Sequence, residues 1–157
     1  MLYIAVVGGS DCTEEEKLFA RETGKEIARR NGVVICGGGT GVMEAASKGA
    51  CQEGGAVLGV LPGSDHRLGN RYLTYTLATG LGEARNAIIT RTADAVIAIG
   101  GEYGTLSEIA LALKMGKPVI GLTSWTIKAP HRASSGIIDV LTPEEAVEMA
   151  FNAAGQI

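Results

Sequence analysis

Ala95-Val96-Ile97-Ala98-Ile99-Gly100-Gly101-Glu102-Tyr103-Gly104-Thr105 decides the fold: five apolar residues run straight into a glycine turn, and a helix follows. An unbroken apolar run of this length predicts a strand covered on both faces, as in a parallel sheet. From Thr105 to Met115, Leu106, Ile109, Ala110 and Leu113 recur at helical spacing and give that helix one buried face. The same grammar stands earlier in the chain. Val33-Val34-Ile35-Cys36 passes through Gly37-Gly38-Gly39-Thr40-Gly41 into a helix over 42–53, and Tyr3-Ile4-Ala5-Val6-Val7 ends in Gly8-Gly9-Ser10.

The remaining segments alternate in the same way. Thr13 before Glu14-Glu15-Glu16 predicts a capping-box start, with Ala20, Gly24, Ile27 and Ala28 as the buried stripe and Asn31-Gly32 as the stop. Ala56 to Leu61 predicts a strand halted by Pro62-Gly63, 72–77 a weaker strand, 83–92 a helix and 119–122 a further strand. Thr142-Pro143 joins an N-cap to a proline at the first helical position, so a helix closes the sequence. Strands alternating with helices predict an α/β fold in one domain over residues 1–157: a doubly wound, mostly parallel, Rossmann-like sheet with helices on both faces. In such sheets the ligand lies beyond the carboxyl ends of the strands, where all three glycine turns sit.

Bulk composition narrows the function. Apolar residues make up 46% of the chain and aromatics only 4%, so the core must be built from Val, Ile, Leu and Ala. The net charge of −3 and the lack of a basic, aromatic strip argue against a nucleic acid partner. No apolar stretch reaches the roughly 20 residues of a membrane helix, and the first residues carry no basic leader, so a cytoplasmic protein without a membrane partner is expected. Cys12, Cys36 and Cys51 are odd in number and show no CxxC spacing, and His66 and His131 lack ligand partners, so no metal site is expected.

Glycine lets the backbone approach a ligand, and a helix start presents unpaired N–H groups at the positive end of its dipole. Two such turns in one domain point to a phosphorylated ligand. The commoner fingerprints are missing: no GxGxxG opens a helix after the first strand, no GK[ST] follows a glycine turn, and no GxSxG elbow occurs. Spacing alone makes Thr105-x-x-Glu108 a capping box and Arg85 a solvated surface residue; the functional alternative puts Glu108 at the floor of a pocket and Arg85 on its anion. Asp65, His66, Arg67 and Asn70 lie on a loop at a strand's carboxyl end, within expected reach of a base or ribose. The loop from Thr123 to Gly136, with Trp125, His131 and Arg132, is at the upper end of usual connection lengths, which suits ordinary surface structure first and a lid second.

Arg85, Ala93-Asp94-Ala95, and Gly100-Gly101-Glu102-Tyr103-Gly104-Thr105 followed by Glu108 resemble the Lonely-guy proteins, often mislabelled lysine decarboxylases. Gly37 to Met43 matches the family's other turn, and Gly59-Val60-Leu61-Pro62 the strand after it; the resemblance spans about residues 4–122. It implies a homo-oligomer, a dimer or dimer of dimers, and an arginine and glutamate, here Arg85 and Glu108, that together cleave nucleoside 5′-monophosphates to base and ribose 5-phosphate. Two positions depart from the family pattern: its lysine after the arginine is Asn86, and its Pro-Gly-Gly turn is Gly100-Gly101-Glu102. Both look more like the molybdenum cofactor carrier branch, which binds a pterin phosphate without turnover.

The resulting expectation is a binding or carrier protein for a phosphorylated heterocycle, a nucleotide or the molybdenum cofactor, with no cofactor required for its own chemistry. Its ligand would rest on Gly8, Gly9, Ser10, Gly38, Gly39, Thr40, Gly41, Arg85, Asn86, Gly101, Glu102, Tyr103, Gly104 and Thr105. The alternative is a nucleoside-monophosphate phosphoribohydrolase with Glu108 as the carboxylate that stabilises an oxocarbenium-like state. A pyridoxal phosphate decarboxylase is not expected, since nothing marks a lysine as its Schiff-base partner.

Overall fold

The computed structural model describes residues 1–128, 130, 131, 134 and 136–155. In β1 (Tyr3–Gly8), Ile4 and Val6 pack into one core layer and Ala5 and Val7 into the other, because successive side chains point to opposite faces. β2 (Val33–Cys36), β3 (Val57–Leu61), β4 (Tyr75–Ala78), β5 (Ala95–Ile99), β6 (Val119–Leu122) and β7 (Ile137–Val140) join β1 in one sheet among the described residues. Its order is β4-β3-β2-β1-β5-β6-β7, and every pairing is parallel. From β1 the chain steps outward through β2, β3 and β4, then returns to the other side of β1 as β5. The β1–β5 boundary is therefore the switch point, where the loops diverge and leave a crevice.

Helices α1 (Glu14–Arg29), α2 (Val42–Gln52) and α5 (Pro143–Ala154) cover one face, burying Ala20, Ile27, Ala46, Ala50 and Val147 against Ile4, Val6, Val34 and Ile97. Helices α3 (Asn86–Thr92) and α4 (Tyr103–Lys114) cover the other with Ile89, Ile109 and Ala112. The sheet is thus doubly wound, as its alternating pattern predicts. The capping box of α1 forms: Glu16 N–H donates to Thr13 Oγ1 (3.1 Å) and Thr13 N–H to Glu16 Oε2 (2.8 Å). Thr142 caps α5, with Pro143 at its start. No helix among the described residues is long and apolar enough to cross a membrane.

The elements differ from the sequence-based expectation in several places. The helix expected over 83–92 divides into a 3-10 turn, Gly82–Arg85, and α3. The weak strand starts at Tyr75 because the Asn70 side-chain carbonyl accepts the Tyr72 N–H (3.1 Å) and holds the preceding residues in a turn. β7 went unread because Asp139 interrupts its short apolar run; it is a half-exposed edge strand pairing only with β6.

α1 and α2 touch backbone to backbone. A Cβ on Gly49 would run into the Arg21 carbonyl, and one on Gly24 into that of Ala46. Alanine in a helix interior normally gains about 0.5–1 kcal/mol over glycine, but here the facing backbone cannot yield. Gly49→Ala should therefore destabilise the fold by about 1–3 kcal/mol, read from the midpoint of urea unfolding. A midpoint at or above wild type would show that the helices separate freely.

Candidate functional site

The first two glycine turns lock onto each other. The Val42 N–H at the start of α2 donates to Gly9 O (3.0 Å), and Thr40 Oγ1 donates to Ser10 O (3.2 Å). Gly41, at φ 65°, leaves no room for a side chain against the Gly9 and Ser10 carbonyls. Part of the donor capacity at α2 is thus spent inside the protein. Asn70 adds to this tie, its Nδ2 donating to Gly39 O (3.0 Å) and its N–H to Gly38 O (2.9 Å).

The third turn is open. Gly100 (φ 52°) and Gly101 (φ 109°) swing the chain from β5 into α4. Glu102 is the N-cap, but no side chain caps the helix, and the first helical bond runs from Leu106 N–H to Glu102 O. The N–H groups of Tyr103, Gly104 and Thr105 are the donors that such a start leaves without an intrahelical partner. The expected Thr105–Glu108 capping box does not form, because Thr105 already lies inside the helix as its third residue.

Glu108 instead turns to Arg85. Its Oε1 lies 3.7 Å from Arg85 Nη1, and the two side chains are only 8% and 14% exposed, which also overturns the reading of Arg85 as a solvated residue. Arg85 Nη1 donates to Asn86 Oδ1 (2.8 Å), and buried Asn86 donates through Nδ2 to Ser107 Oγ (3.2 Å). The guanidinium lies against Gly37, where a Cβ would stand 2.7 Å from Nη2. Arg85 Nε is buried without a hydrogen-bond partner. Burial pushes the Glu108 carboxyl up to about 8; Arg85 pulls it down, and Glu83 adds a further push upward. Burial thus holds the carboxyl toward its neutral form against the pull of Arg85.

These groups enclose a cleft of about 250 Å³ at the switch point, lined by Gly8, Gly9, Ser10, Arg85, Asn86, Glu102, Gly104, Thr105 and Glu108 among others. Glu83 and Glu102 stand at its exposed side, where water screens their charge. Gly38, Gly39, Thr40, Gly41, Gly101 and Tyr103 do not line it. Gly41 faces a different hollow beside α1 and α2, and Tyr103 points its ring outward, 81% exposed. Val7, Gly37, Met43 and Glu83 were not anticipated as lining residues. Gly37 had a signal, since it opens the glycine run that the guanidinium packs against.

None of Asp65, His66, Arg67 and Asn70 reaches the cleft. Asp65 and Arg67 pair with each other (2.8 Å) around a 3-10 turn over His66–Leu68, while Asn70 braces the second glycine turn. Arg132 lies outside the described residues. Among those residues, Cys12, Cys36 and Cys51 are free thiols, and no cluster of three or more His, Cys, Asp or Glu side chains is placed to hold a metal ion.

Fold and cleft together define a Rossmann-like α/β protein whose switch-point crevice combines an uncapped helix start with a buried arginine. The chain belongs to the SLOG cluster4 family, whose model matches residues 1–147. It is 35% identical to the molybdenum cofactor binding protein of the phototrophic bacterium Rippkaea orientalis, with a TM-score of 0.88 and 96% of each chain covered. The Moco carrier protein of Chlamydomonas reinhardtii superposes with a TM-score of 0.87 at 31% identity, over 99% of each chain. A protein of Archaeoglobus fulgidus is 42% identical over 98% of this chain and 97% of its own length. A probable cytokinin riboside 5′-monophosphate phosphoribohydrolase of Oryza sativa subsp. japonica is 30% identical over 77% of this chain and 50% of its own. The chain thus spans about half the length of that plant relative. These likenesses place it in the Lonely-guy superfamily, on the molybdenum cofactor carrier branch.

Proposed function

We propose that this protein binds a phosphorylated heterocycle, of the molybdopterin or nucleotide class, in the switch-point cleft and carries it without chemical change. The observation that carries this reading is the open, uncapped start of α4 in the same cleft as Arg85, the single cationic side chain lining it among the described residues. A guanidinium in the wall of such a cleft gives a phosphate oxygen charge-assisted hydrogen bonds, stronger than those between neutral groups. The N–H groups of Tyr103, Gly104 and Thr105 supply further donors and the positive end of the helix dipole. Gly8, Gly9 and Ser10 supply a close backbone wall. Thr40 and Gly41 act behind that wall, by fixing the first turn through the Gly9 and Ser10 carbonyls, and Gly38 and Gly39 act through their tie to Asn70.

The raised Glu108 carboxyl fits either reading, since a buried acid can line a carrier site or protonate a departing base. A bound phosphate would push the same carboxyl further toward its neutral form. The second reading, a nucleoside-monophosphate phosphoribohydrolase, draws on the Arg85–Glu108 juxtaposition and on the plant relatives. Incubating the protein with AMP and with a pterin monophosphate separates the two. Carriage predicts a raised melting temperature with no free base on chromatography. Free base would establish the hydrolase, and no shift with either compound would remove the binding reading. The same proposal includes a homo-oligomer in the cytoplasm, a dimer or dimer of dimers, with no nucleic acid partner; light scattering on the purified protein checks the assembly.

A further inference from the structure

Trp125 is the single tryptophan of the chain, and it is fastened to the turn that forms the cleft. Its indole N–H donates to Glu102 O (3.2 Å), and its ring lies 5.9 Å from that of Tyr103, tilted by 37°. The segment leading to it is held under strain. Thr123 sits at φ 51°, a conformation that β-branched residues rarely adopt, and Ser124 Oγ donates to Gly100 O (2.7 Å). Two consecutive residues after β6 thus clasp the two ends of the Gly100–Glu102 turn. A further hollow of about 350 Å³, lined by Gly100, Gly101, Thr123, Ser124 and Trp125 together with Glu16, is built on the same turn.

The strain and the two hydrogen bonds hold this aromatic pair outside the cleft on the turn whose Glu102 and Gly104 line it, with Trp125 partly buried against the α3–α4 core layer and Tyr103 81% exposed. In a chain with only 4% aromatic residues, that placement calls for a partner with a π-face. We infer that Trp125 and Tyr103 form the platform on which the ring system of the phosphorylated ligand stacks, so that this pair selects for a fused heterocycle while the α4 start and Arg85 hold the phosphate. The inference rests on the cleft being the phosphate site. Stacking of a base on an aromatic side chain changes affinity by about tenfold, within a range of several-fold to a hundredfold.

The test titrates wild type, Trp125→Ala and Tyr103→Ala with AMP, a pterin monophosphate and base-free ribose 5-phosphate, by calorimetry and by the fluorescence of Trp125 in wild type and Tyr103→Ala. In wild type at least one heterocyclic compound should bind about tenfold or more tightly than ribose 5-phosphate and quench the tryptophan, with ribose 5-phosphate leaving the emission unchanged. In Trp125→Ala that preference should collapse to threefold or less, with ribose 5-phosphate affinity retained. Tyr103→Ala should reduce the preference in the same direction, and its exposed side chain makes it a variant that folds. A preference that survives both substitutions, or heterocyclic ligands that bind no better than ribose 5-phosphate, would overturn the platform while leaving the phosphate site standing. If none of the three compounds binds wild type, the phosphate site itself falls, and the platform with it.

Discussion

Glu108→Gln should make the ligand-free protein more stable than wild type at pH 8 and nearly equal to it at pH 5. The sign follows from proton counting. In the unfolded chain this carboxyl titrates near its ordinary 4.5, whereas burial in the fold raises it to about 8. Between those values the folded state holds a proton that the unfolded state has lost, so stability falls as pH rises. The contribution is fully present below 4.5 and gone above about 8. At about 1.4 kcal/mol per pH unit, the wild type should lose up to about 4 kcal/mol from this group between pH 5 and 8. For a chain of this size that is a fall of roughly 10 °C in melting temperature. Glutamine fills the same space and does not titrate, so the difference between the two melting curves should widen steadily with pH. Parallel curves from pH 5 to 9 would mean that Glu108 is ionised in the folded protein and that Arg85, not burial, sets its charge.

The contrast between what was legible in the sequence and what was not has a physical basis. Strand-and-turn grammar located the sheet, the three glycine turns and the crevice, because β1, β2 and β5 are continuous apolar runs with no competing polar period. Local chemistry was equally explicit at Thr13–Glu16 and Thr142–Pro143, where both partners of a cap lie within three residues. Thr105 and Glu108 have that same spacing, yet the helix starts two residues earlier and turns Glu108 into the cleft. Only the approach of Arg85, 23 positions upstream and on another element, reveals why an acid is buried there. Arg85 itself carries no periodic signal, because it closes a 3-10 turn rather than lying on a regular helix. Family resemblance supplied that pair where composition favoured the opposite reading. The division of labour between the turns was also invisible: both glycine runs look alike in sequence, but one spends its donors on Gly9 and Ser10 while the other leaves them open.

Arg85→Ala should weaken binding of AMP or a pterin monophosphate by a hundredfold or more, with little loss of stability at pH 7. Hydrogen bonds to charged groups contribute about 1.5–3 kcal/mol each, and a guanidinium engages a phosphate through two of them. Removing the side chain eliminates both, along with the single cation lining the cleft among the described residues. Deleting one partner of a buried ion pair is usually severe, since it strands the other charge. Here the stranded partner is a carboxyl already raised to about 8 by burial, and without Arg85 to draw it down it becomes more firmly neutral. The unpartnered Nε disappears with the side chain, which removes a cost from the folded state. Arg85→Lys should recover only a minor part of the affinity, because an ammonium lacks the planar fork that Gly37 and Asn86 accommodate. Calorimetric titration of the three proteins, paired with their melting temperatures, checks both halves. Unchanged affinity in Arg85→Ala would assign the anion to the open N–H groups of α4 alone, and a collapse of the fold would show that the buried Asn86 carbonyl or the Glu108 carboxyl depends on the guanidinium.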